Sequence, residues 1–271
     1  MTAIAGFNCL DGVLMLSDSE ETTSSFTKSD CDKLYPFSFP IGTVLTGGAG
    51  DGHLIDCANQ ELHQFFARGG AETSGVPLDG EQIRLALNEF AREFFEKTVG
   101  PSQGSLEMLI AVNHHKRQTL LFHWNKNRVL WIPPERHECI GSGAIQLHPM
   151  LRDFQFSTSI ETALFCGLGM MFHAKRIVQG VGGKTDAIAL LHNGIRHTFG
   201  TANTERIESL VSNFEQFLTK FVYTTVSNVH AINPKIQAEL DENAERSFSL
   251  VSEEFRRIRE HYRELLEHPI L

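Results

Sequence analysis

The chain has 271 residues, of which 41% are apolar and 21% charged, the balance of a soluble globular protein with a substantial core arranged as one large domain or two small ones. Its 24 basic and 33 acidic residues leave a net charge of −9, which argues against a general nucleic-acid binder. No stretch approaches the roughly 18–20 uninterrupted apolar residues of a membrane-spanning helix.

The opening MTAIAGFNCLDG lacks the basic and apolar segments of a signal peptide. Five scattered cysteines, none in a CxxC pair, suggest neither a disulfide framework nor a zinc site. The expectation is a cytoplasmic protein that uses no metal and no organic cofactor.

Two short apolar runs, 4–9 and 13–16, flank Asp11-Gly12 and predict a hairpin. The polar stretch 18–32 has no period and reads as a loop. Strands are expected at 33–39 and 41–46, the second ending in Gly47-Gly48-Ala49-Gly50. Leu54, Ala58, Leu62 and Phe66 fall on one helical face, and Ile83, Leu87, Phe90 and Phe94 repeat the pattern. Strands follow at 106–112, 119–123 and 129–132, and another closes into Gly141-Ser142-Gly143. A helix begins near that turn, a second covers 160–178, and 187–191 is the final clear strand. Strands and paired helices in this order do not alternate as βαβ units do, so the pattern predicts an α+β layered fold with antiparallel sheets.

The tail differs. Ile207, Leu210, Phe214, Leu218 and Phe221 predict one amphipathic helix, and Val251, Phe255, Ile258, Tyr262 and Leu265 predict another with a 4-3-4-3 seam. Asn233-Pro234 separates them. The expected domains are 1–200 and a helical extension, 201–271, that packs within the chain or between subunits.

Thr2 is the most informative residue. Once Met1 is removed, the chain begins with a hydroxyl beside a free α-amine that titrates near pH ~7.7–8.0 and can serve as base toward that hydroxyl. His114-His115 reads as a solvated turn, and the spacing of His53 and His63 does not suit zinc.

Thr2-Ala3-Ile4-Ala5-Gly6, Asp11-Gly12-Val13, Ser17-Asp18-Ser19, Asp32-Lys33-Leu34 and Gly47-Gly48-Ala49-Gly50-Asp51 stand in an order that resembles a proteasome-type β subunit, an N-terminal-nucleophile (Ntn) hydrolase, as a divergent bacterial-like member. Gly141-Ser142-Gly143, Glu161-Thr162-Ala163 and Gly182-Gly183 agree, and the resemblance covers about residues 2–200. It implies a four-layer αββα sandwich and a threonine endopeptidase with Thr2 as nucleophile. Lys33 would then lower the hydroxyl pKa and Asp18 would hold that lysine. Ser142 would assist, and the Gly47 N–H would donate to the oxyanion. Thr22 would pair with the substrate backbone, and Leu45 would line an apolar specificity pocket. The implied partners are a polypeptide substrate, further copies in a ring or larger assembly, and an ATP-driven unfoldase.

The sequence departs from that pattern at Val178 and Val181, where the family places an aspartate and a serine, and at Glu20, where it often has arginine. Only Met1 precedes Thr2, so no long propeptide is expected. Two other readings stay open: a non-catalytic ring subunit, and an Ntn amidase acting on a small molecule.

Overall fold

The computed structural model describes residues 2–22, 28–69, 78–99, 104–115, 118–152 and 158–227, with scattered positions between 242 and 260. The chain divides into two compact units, Met1–Thr201 and Ala202–Leu271.

In the first unit, β1 (Ile4–Cys9) and β2 (Gly12–Asp18) form the expected hairpin. They join β10 (His137–Ile140), β11 (Thr185–Leu191) and β12 (Arg196–Phe199) in a five-stranded antiparallel sheet ordered β10-β1-β2-β11-β12. The second sheet, β5 (Leu34–Phe39), β6 (Gly42–Gly50), β7 (Leu106–His114), β8 (Gln118–Asn125) and β9 (Arg128–Ile132), is antiparallel throughout and runs in sequence order. β1 and β2 are buried on both faces, which is why they read as continuous apolar runs rather than alternating ones.

One core lies between the sheets. Ile4, Val13, Met15 and Ile188 from the first meet Leu45, Leu109, Ala111 and Leu121 from the second. The alternate residues of the second sheet, Val44, Met108, Ile110, Phe122 and Trp124, pack on α1 (Gly52–Ala67) and α2 (Gly80–Phe94). Asp51 caps α1, and Asp79 with Gln82 forms a capping box on α2.

Beyond the Gly141-Ser142-Gly143 turn that follows β10, α3 (Ala144–Arg152) and α4 (Ile160–Ile177) pack against the first sheet. Gly167 lets α4 approach closely, since a Cβ there would fall 2.2 Å from a Leu16 methyl. In the second unit, α5 (Thr201–Ser227) contains the predicted helix. The stripe Val251, Phe255, Ile258, Tyr262 and Leu265 lies outside the described residues.

Several expectations are corrected. The polar stretch contains a ribbon, β3 (Glu20–Thr22) paired with β4 (Lys28–Asp30), whose polar residues give no alternation to detect. The strand expected to stop at residue 46 runs on through the glycines to Gly50, held by neighbours on both sides. β12 was hidden by its polar residues. His114 is buried and stacks against Phe39, so it is not solvated. No helix among the described residues is long and apolar enough to cross a membrane.

Trp124 is enclosed by Phe90, Phe94 and Phe95, and its indole N–H donates to the Lys126 carbonyl. Trp124→Ala is expected to lower unfolding free energy by about 3–5 kcal/mol in urea titration.

Candidate active site

Thr2 enters just ahead of β1, and the Gly141–Ser142–Gly143 turn between β10 and α3 grips its backbone. Thr2 N donates to Ser142 Oγ at 3.0 Å, while the Thr2 carbonyl accepts from Gly143 N at 3.0 Å and Ser142 Oγ at 3.3 Å. Gly141 permits this approach: its φ is +86°, and a Cβ there would stand 2.3 Å from the Thr2 oxygen.

On the other side of Thr2, Asp18 ends β2 and is wholly buried. Its Oδ1 accepts from Ala3 N at 2.8 Å and from Lys33 Nζ at 2.9 Å, and its Oδ2 accepts from Gly182 N at 3.2 Å. Lys33 Nζ also donates to the Glu20 carbonyl at 2.7 Å. Lys33 lies just before β5 and is 6% exposed, so the ion pair is shielded from water. A charge buried this deeply persists only with such a complete set of partners.

A cavity of about 410 Å³ opens beside Thr2, bordered by Gly141 and Ser142 on one side and by Ser105, Glu107 and Lys126 on the other. The Glu107 carboxylate accepts from His123 Nε2 at 3.0 Å, Asn125 Nδ2 at 3.2 Å and Gly141 N at 3.3 Å. The His123 hydrogen bond, set against burial, holds the Glu107 carboxyl below its usual range. Burial of His123 opposes its charge, but bonding to Glu107 and Glu138 prevails and raises it to about 9.

The structure thus brings Thr2, Asp18, Lys33 and Ser142 into one neighbourhood. Gly47 is buried within β6, where a Cβ would meet Leu34, Met15 and Ile4 at 3.0–3.1 Å. Leu45 is sealed in the core between the sheets and does not border the cavity, so the apolar wall expected there is not found. Ala49, on the same face of β6, does border it. Thr22 ends the polar ribbon, its backbone in register with Lys28.

At the departures from the expected pattern, Val181 is buried, with its Cγ2 3.5 Å from where a Gly143 Cβ would stand. Hydrocarbon there supports the turn by contact rather than by hydrogen bonding. Sequence reasoning missed Glu107, Asn125 and Lys126. The signal for Glu107 was a lone carboxylate in an otherwise apolar strand, LEMLIAV.

Asp18 would be left charged and buried without Lys33. Lys33→Ala is therefore expected to cost about 3–5 kcal/mol of stability in urea denaturation. That contrasts with the intact folding expected of a purely chemical role.

No family model matches the chain, and no curated protein matches it. Among solved structures, it is similar to Anbu (ancestral beta-subunit) from Yersinia bercovieri, at 18% identity and a TM-score of 0.64, with 82% of this chain and 97% of that one covered. It is also similar to the Pseudomonas aeruginosa Anbu protein solved as a helical assembly, at 18% identity and a TM-score of 0.67, over 82% and 95% of the two chains. A Gly-1 mutant of Anbu from Hyphomicrobium sp. strain MC1 matches at 14% identity and a TM-score of 0.64, over 86% and 100%. These likenesses show a shared fold. The proteasome β-subunit assignment read from the motifs is accordingly corrected to a fold shared with Anbu (ancestral beta-subunit) proteins.

Proposed function

We propose that the chain is a threonine-type Ntn hydrolase, a self-compartmentalising endopeptidase of Anbu-like fold acting through Thr2. The observation that carries this reading is the double hold around Thr2: Ser142 and Gly143 on its own backbone, and the buried Asp18–Lys33 pair anchored to the next residue, Ala3. In this reading the layers α1 and α2, the two sheets, and α3 with α4 make an αββα sandwich.

With Met1 removed, the free amine of Thr2 accepts the proton of its own hydroxyl as Oγ attacks the substrate carbonyl. The Lys33 ammonium favours the alkoxide electrostatically, and Asp18 keeps that ammonium in place. The resemblance assigns the developing oxyanion to the N–H of Gly47, two residues along β6 from Ala49 at the cavity border. The amine returns the proton to the leaving nitrogen, giving an ester on Thr2 and a free amine product. Water then attacks the ester, with the same amine as base, and restores the hydroxyl. Ser142, already hydrogen-bonded to Thr2 N, orients the amine, and Thr22 offers its backbone to an extended substrate. Because the Pseudomonas protein forms a helical assembly, we place these sites inside a homo-oligomer that an ATP-driven unfoldase could supply with polypeptide.

A non-catalytic assembly subunit is the second reading, and Val178 and Val181 favour it, since side chains that could hydrogen-bond to the turn are absent there. N-terminal sequencing separates the two, because a retained Met1 blocks the amine. For the catalytic reading, Thr2→Ala is expected to reduce hydrolysis of short fluorogenic peptides at least about 10³-fold. Wild-type turnover in that variant would remove Thr2 from the chemistry.

A further inference from the structure

We propose that Glu138, Cys139 and His148 form a binding site for a zinc-class divalent metal ion. Their carboxylate, thiol and imidazole donor atoms all lie within 4.8 Å of one another. Glu138 and Cys139 are the two middle residues of β10 and His148 stands on α3, so the ion would clip together the two elements joined by the Gly141–Ser142–Gly143 turn.

Neighbouring residues on a strand ordinarily point to opposite faces. Here the Glu138 side chain folds back, its Oε1 accepting from Cys139 N at 3.0 Å, which brings the carboxylate toward the thiol. His148 Nε2 is 3.7 Å from that same oxygen. Two ligands of a tetrahedral ion bonded at roughly 2.0–2.3 Å stand about 3.3–3.7 Å apart, so this pair is already close to ligand spacing, and the Cys139 thiol, within 4.8 Å of both, would close in on the ion.

The surroundings also suit a metal. The second carboxylate oxygen of Glu138 is 3.7 Å from His123 Nδ1, and His123 is itself held by Glu107. Outer partners of this kind orient a ligating carboxylate. Cys139 is buried, with its sulfur 3.7 Å from the Ala144 carbonyl, whereas the His148 side chain is 55% exposed and gives an ion its entry path. A mixed sulfur, nitrogen and oxygen set fits zinc and its neighbours rather than calcium or magnesium, which take oxygen. Three protein ligands leave the fourth position to water. Binding needs the thiolate, so the Cys139 proton passes to solvent as the metal–sulfur bond forms, with no change of oxidation state. The sequence concealed the set because its members are not in any zinc-motif spacing.

The test reads metal binding directly and does not depend on hydrolysis. The full chain, stripped with a chelator, is titrated with Co²⁺ and then with Zn²⁺. The expected result is one Co²⁺ per chain, with a thiolate-to-cobalt absorption band that Zn²⁺ abolishes. Cys139→Ser should remove the band. His148→Ala, a change on an exposed face that leaves folding intact, should weaken Co²⁺ binding at least about tenfold. Absence of the band in wild type, its survival in Cys139→Ser, or unchanged affinity in His148→Ala would each overturn the site. So would loss of the band on Cys57→Ser, since Cys57 Sγ lies 3.8 Å from His53 Nε2 and makes an alternative thiol–imidazole pair.

Discussion

The Asp18 carboxylate, enclosed at the end of β2, gathers three separate stretches of chain: the entry to β1 at Ala3, the approach to β5 at Lys33, and the link between α4 and β11 at Gly182. Lys33 leads into the second sheet while Asp18 belongs to the first, so one ion pair spans both. A buried charge tolerates no vacant partner, which makes this contact intolerant of slippage in any of the three segments. The position of Thr2 is inherited from that intolerance, because Ala3 is its immediate neighbour.

A second electrostatic tie approaches from the opposite direction. Glu107 extends from β7 to the Gly141 amide, backed by His123. The turn that grips Thr2 is therefore attached to the second sheet as well as to its own strand. The polar contacts of Asp18 and Glu107 tie the two sheets together beside Thr2, while the outer face of the second sheet is sealed by hydrocarbon and aromatic rings under α1 and α2.

Periodicity disclosed the helices and buried strands because burial on defined faces leaves a record in residue type. It failed where that record is absent. β3, β4 and β12 are short and polar, and the glycines of β6 have no side chains to alternate. At the site, Thr2, Asp18, Lys33 and Ser142 were legible through ordered motifs. Leu45 was misplaced because a motif gives a residue's face of the strand, not whether facing side chains close over it. Glu107 escaped notice since its partners His123 and Gly141 are brought to it only by the register of β7 with β8 and the return of β10.

The grip on Thr2 acts mainly through its carbonyl, which receives Gly143 N and Ser142 Oγ, while its nitrogen makes one contact, as donor to Ser142. An amide and an amine can both donate that bond. What precedes Thr2 can therefore be trimmed without loosening the residue, and the surrounding framework can be complete before any such trimming takes place. In the proposed catalytic reading, maturation would be an unmasking rather than a rearrangement: the pocket exists first, and the Thr2 amine is uncovered within it.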